Sequence, residues 1–126
     1  MLVKYDSEIV NLNIGGTTHI QTEKDVLVSV PGSRLAKLFS GMNKLKEVDG
    51  EIFLDRDGKT FEALVNYLRN ERKVFPEFVN KNDENHFYKE LHFWGIDLHM
   101  KDWQEEYLNK LNRNHKPNTD ISLSLP

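Results

Sequence analysis

The sequence predicts an α+β domain in which a small sheet is covered by helical hairpins. Three observations predict it. A period-two hydrophobic run lies near the N terminus, helical periodicity dominates from Gly58 onward, and strands and helices do not alternate regularly enough for a doubly wound parallel sheet. A chain of 126 residues, 38% hydrophobic and 10% aromatic, is long enough for one compact domain and short for two.

Val10, Leu12 and Ile14 alternate with Asn11 and Asn13, the pattern of a strand with one buried face. Gly15-Gly16 ends it in a turn, and His19 to Thr22 is a second extended piece, so the first unit reads as a β-hairpin whose glycines supply positive φ. Thr22 and Asp25 have the spacing of a capping box, which predicts a short helix through Val26, Leu27 and Val30. Pro31 suits a first helical turn, with Leu35, Leu38 and Phe39 at helical spacing before Ser40-Gly41 stops the run. Residues 42–50 read as a polar connection, and Glu51 to Leu54 as the next strand. From Gly58, the residues Phe61, Leu64, Val65 and Leu68 fall on one helical stripe, with Pro76 in the zone where that helix has ended. A further helix is expected from Asp83 to Trp94, burying Phe87, Leu91 and Trp94 and stopped by Gly95. Trp103, Tyr107, Leu108 and Leu111 suggest one more amphipathic helix, and Asn114 to Pro126 is expected to be poorly ordered.

Composition excludes several function classes. The charged fraction is 29% but the net charge is only −3, with basic residues scattered, so no nucleic-acid footprint is indicated. Cysteine is absent, which removes disulfides, thiolate zinc sites and a cysteine nucleophile, and fits a reducing compartment. No apolar run approaches the roughly 20 residues that span a bilayer, and Met1 to Lys4 lacks a signal-peptide core. The chain is therefore expected to be soluble and cytoplasmic, without membrane contact.

Catalytic, cofactor and metal assignments are all none. The Gly-Gly turn lacks the frame of a phosphate-binding loop, and Ser29, Ser33 and Ser40 have no nucleophile elbow. Glu105-Glu106 lies in a charged helical segment where solvation is the default, and Phe93-Trp94 has the spacing of core packing. The five histidines, at positions 19, 86, 92, 99 and 115, include no i, i+4 pair. In contrast, Asp55, Arg56 and Asp57 put both charge signs side by side at a strand end, which suits a surface that pairs with a complementary copy. Asp57 also has the acceptor side chain that caps a helix N terminus.

Several motifs in order carry a resemblance. Val10-Asn11-Leu12-Asn13-Ile14-Gly15-Gly16, Pro31-x-Ser33, Leu54-Asp55-Arg56-Asp57-Gly58, Phe61, Asn66-Tyr67-Leu68-Arg69 and Pro76 together resemble the potassium-channel tetramerisation branch of the BTB/POZ family. The match divides the chain into a flank at 1–8, a BTB/POZ-type domain at 9–97, a helical extension at 98–113 and a tail at 114–126. It departs from the family pattern by a hairpin one residue longer, which puts Ile20 and Thr22 where the family has an aromatic residue and Thr. Asp55 to Gly58 resembles the soluble adaptor members, whereas Glu90 to Asp97 resembles the cytoplasmic domains of voltage-gated channels.

The resemblance implies a BTB/POZ fold that self-associates into rings of four or five copies through polar faces. Its ring contacts map onto Asn13, Gly15, Gly16, Asp55, Arg56 and Asp57, with Tyr67, Arg69 and Asn70 as weaker candidates. Under that reading Arg56→Glu breaks assembly and leaves the helices intact. Adaptor members present substrates to a cullin-3 ubiquitin ligase, so cullin-3 is the implied partner besides the chain itself. The alternative is the assembly domain of a voltage-gated potassium channel. The intersubunit zinc of many channel domains, held by His and Cys, is impossible here without cysteine.

Overall fold

The computed structural model describes residues 7–41 and 44–98. The extension expected at 98–113 falls outside these residues apart from Leu98, and the 114–126 tail falls outside them entirely. The elements run β1 (Ile9–Ile14), β2 (Thr18–Glu23), α1 (Lys24–Leu27), α2 (Arg34–Phe39), β3 (Glu47–Val48), β4 (Glu51–Leu54), α3 (Gly58–Arg69) and α4 (Lys81–Trp94). The strands form one mixed sheet in the order β2-β1-β4-β3. β1 pairs antiparallel with β2 and parallel with β4, so the chain crosses over through α1, α2 and β3 before returning to the middle of the sheet. This is the α+β arrangement the sequence predicts.

Alternation along β1 and β2 sends Val10, Leu12, Ile14, Ile20 and Thr22 to the helix-covered face, all of them buried. The opposite face carries Asn11, His19 and Gln21, which are exposed, and the half-buried Asn13. Ile14 pairs with Thr18 across a three-residue turn, and that register keeps Ile20 and Thr22 inward. Against the sheet pack Leu27, Leu35 and Phe39, the α3 stripe of Phe61, Leu64, Val65 and Leu68, and the α4 residues Phe87, Leu91 and Trp94. Burial of each such side chain contributes about 1.5–3 kcal/mol before entropy is counted.

Four local expectations need correction. Thr22 does not cap α1: β2 runs on to Glu23, the Thr22 side chain points into the core, and its hydroxyl has no partner among the described residues. The α1 donors turn to the preceding segment instead, Lys24 N to the Glu8 carbonyl at 2.7 Å and Asp25 N to Ser7 Oγ at 3.4 Å. Pro31 precedes α2 rather than opening it, because Ser33 is the cap and accepts from Ala36 N at 3.0 Å. Residues 42–50 include the short strand β3, whose Glu47 and Val48 pair with Ile52 and Glu51. Finally, α4 begins at Lys81, since Asn80 Oδ1 accepts from Asp83 N at 2.8 Å. Its other end is as expected, with Gly95 at φ 72° and Ile96 N donating back to the Leu91 carbonyl at 2.9 Å. Among the described residues no helix is long and apolar enough to cross a membrane.

Candidate oligomerisation surface

The C-terminal ends of β1 and β4 bring two motifs together that are far apart in sequence. The Leu54 carbonyl accepts from Gly15 N at 2.8 Å and from Arg56 N at 2.9 Å, which turns the chain sharply out of β4. A Cβ on Gly15 would lie 2.7 Å from the Arg56 carbonyl oxygen, and one on Gly58 would lie 1.9 Å from Thr18 Oγ1. Glycine at both positions is what lets the hairpin turn and the strand end touch. Asn13 Oδ1 accepts from Gly16 N at 2.9 Å and fixes the turn from within.

The three charges that follow point to three different tasks. Asp55 is exposed. Arg56 folds back onto α4, where Nε donates to Glu90 Oε2 at 3.0 Å and Nη2 to Oε1 at 2.8 Å. Its guanidinium also lies 3.7 Å from the centre of the Phe93 ring. Glu90 is 5% exposed and additionally accepts from Trp94 Nε1 at 2.8 Å. The Glu90 hydrogen bond raises the Arg56 pKa above its ordinary value despite partial burial, with the Glu90 and Asp55 charges adding to it. Asp57 caps α3, accepting from Thr60 Oγ1 at 2.7 Å and Thr60 N at 3.0 Å. Those two bonds, the hydroxyl's first, hold its carboxyl below the usual range, and His86 and Lys59 add to the effect. A shallow cleft of about 460 Å³ opens between the strand end and α4, with Asp55, Arg56, His86 and Lys89 on its walls.

The remaining sequence candidates lie elsewhere. Tyr67 requires a correction as a ring contact: it is 1% exposed and packs edge-on against Phe75 and Phe87, at 6.3 and 5.6 Å between ring centres. It fills this domain's own core and presents no surface to a neighbour. Arg69 is exposed but occupied, donating to Asn66 Oδ1 at 2.9 Å and to the Gln21 carbonyl of the edge strand β2 at 2.7 Å. Asn70 is exposed and caps the end of α3 through the Asn66 carbonyl at 2.9 Å.

Sequence reasoning missed Glu90 as part of the site. The signal was present, because Glu90 falls three residues after Phe87 and four before Trp94, on the buried stripe of α4. A carboxylate on that stripe requires a partner. His19 has Nδ1 2.8 Å from Glu51 Oε2 across the exposed sheet face. Among the described residues no group of three or more His, Cys, Asp or Glu side chains is arranged to hold a metal ion.

A family model described as the BTB/POZ domain matches residues 10–103. The potassium channel regulatory protein of Bos taurus is 33% identical over 110 residues, which cover 86% of this chain and 37% of that protein. The human BTB/POZ domain-containing protein KCTD21 is 39% identical over 72 residues, covering 56% of this chain and 27% of the relative. The human BTB/POZ domain-containing protein KCTD3 is 40% identical over 90 residues, covering 71% and 10%. The chain thus spans about a third or less of the length of these relatives.

Proposed function

Since the chain belongs to the BTB/POZ family, in its potassium-channel tetramerisation branch, we propose that it is a non-catalytic interaction domain that assembles with copies of itself into a cytoplasmic ring of four or five. The observation that carries this reading is the single polar surface built from the Asn13–Gly16 turn and the exposed Asp55, held together by the Gly15 N to Leu54 O bond. A closed ring needs two different patches per subunit, because each copy meets one neighbour on either side. In this reading Asn13, Gly15, Gly16 and Asp55 form one patch, and the exposed cations and amides at the end of α3, Arg69 and Asn70, belong to the other. Opposite charges facing across such a junction set register and partner choice more than affinity.

Within this reading the ring serves as an adaptor that recruits a cullin-3 ubiquitin ligase, the role that the likeness of Asp55 to Gly58 to adaptor members supports. Assembly of a potassium channel is the second reading, favoured by the likeness of Glu90 to Asp97 to channel domains. Light scattering of the purified chain tests the ring, with a mass of four or five copies expected and a strict monomer at high concentration overturning it. Asp55→Arg is expected to split the assembly with an unchanged circular dichroism spectrum. Calorimetric titration with the N-terminal region of cullin-3 then separates the two readings, since saturable binding is expected of the adaptor alone.

A further inference from the structure

Asp55, Arg56 and Asp57 are consecutive, and the two charges that follow Asp55 are both held by side chains of this domain. Asp57 is held by Thr60 at the start of α3, and Arg56 is held by Glu90 on α4. Between Gly15 N, which fixes the Leu54 carbonyl, and this double anchor, residue 55 has little backbone freedom left. Glu90 lies in the middle of the anchor and is itself not at the surface. One oxygen, Oε2, accepts from both Arg56 Nε and Trp94 Nε1, while the other, Oε1, accepts from Arg56 Nη2. Phe93, one turn further along α4, receives the Arg56 guanidinium at 3.7 Å and the Arg34 guanidinium of α2 at 4.6 Å.

We propose that Glu90 is a positioning residue for self-association: by fixing Arg56 in a two-pronged ion pair it sets the direction in which Asp55 is presented to a neighbouring copy. This rests on the ring reading above. A buried carboxylate serves this purpose better than an apolar residue, because a fork of two parallel N–H···O bonds fixes the guanidinium plane as well as its position. The reach of the effect is short: an Arg56 side chain tethered at its far end to α4 limits the backbone torsions open to Arg56, and the planar peptide unit it shares with Asp55 carries that limit to the neighbouring residue.

The test is a double-mutant cycle read in association and in stability separately. Glu90→Gln, with its carbonyl oxygen in the Oε2 place, keeps the bonds from Arg56 Nε and Trp94 Nε1 and turns an amide NH2 toward Arg56 Nη2, so the fold is retained while the fork is broken. Arg56→Lys, which keeps the charge opposite Glu90 and loses the fork, is the second variant. Both are expected to weaken association about tenfold by sedimentation velocity, with thermal midpoints of the separated subunits close to the parent's. Asp55→Asn should weaken association in the parent and add little in the Glu90→Gln background, because the contact is already misdirected. If Asp55→Asn and Glu90→Gln act additively, or if Glu90→Gln lowers the thermal midpoint and leaves association untouched, Glu90 is a core residue only and the proposal fails while the ring stands. A parent chain that never associates overturns the ring itself, and this assignment with it.

Discussion

The strand end at Leu54 to Gly58 and the weaker candidate, the helix end at Tyr67 to Asn70, differ in how each uses its consecutive residues. At the strand end, an extended backbone followed by a turn sends successive side chains in different directions: Asp55 outward, Arg56 to α4, and Asp57 to the α3 N terminus. At the helix end, Tyr67 falls on the buried stripe, Arg69 lies off it, and Asn70 stands beyond the last turn as the C-cap. A motif written as a string thus holds residues with unlike tasks. The strand end builds a surface supported from beneath by Glu90, Phe93 and Trp94, whereas the helix end is mostly occupied with its own domain.

The largest expected effect breaks the comparison on the helix side. Tyr67→Ala leaves a cavity among Phe75, Phe87 and the α3 stripe and is expected to cost about 4 kcal/mol, from the range for large aromatic truncations in cores. Urea denaturation measures it. Any loss of assembly in this variant should track the loss of folded chain. A parent-like urea midpoint with a dissociated ring would instead return Tyr67 to the interface.

Next in size is Arg56→Glu on the strand side. It sets a second carboxylate against the buried Glu90 and leaves Glu90 without its cation, a change expected to cost about 3 kcal/mol. Dissociation of this variant therefore measures a ring contact only when its urea midpoint is read beside it, since losing the ion pair also destabilises the subunit. Adding Glu90→Gln should restore a good part of the denaturation midpoint by removing the repelling charge. Absence of any rescue would mean that the Arg56 stem and its Phe93 contact, not the ion pair, carry the stability.

Much of this was legible in the sequence, and the exceptions have physical reasons. The β1 alternation, the α3 stripe, the Asp57 cap and the Gly95 stop are local patterns whose causes lie within one turn or one strand, so they survive folding unchanged. The Thr22 box failed because strand pairing with Val10 extends β2 through the residue that local chemistry would have made a cap. β3 was missed because two exposed residues, Glu47 and Val48, carry no period and owe their pairing to β4. The Arg56–Glu90 pair joins residues distant in sequence, and only a charge on a buried stripe hinted at it.

The smallest effect sharpens what Asp57 contributes. If it is a cap and nothing more, Asp57→Ala should lower stability by about 1 kcal/mol and leave the association constant of the folded chain unaltered. Asn in its place keeps an acceptor for Thr60 N and loses the charge. The carboxyl is held below its ordinary pKa in the folded chain, so its ionised form contributes stability that is fully present above the unfolded value near pH ~4 and is lost as pH falls through the folded value. The advantage of the parent over Asp57→Asn in urea is therefore expected to be constant near neutrality and to shrink below about pH 4. That margin is small, because Asp57 is exposed and solvent screens its charge. A ring that dissociates in Asp57→Asn at neutral pH, with the urea midpoint unchanged, would move Asp57 from the cap to the interface and leave Arg56 as the one charge of the three turned inward.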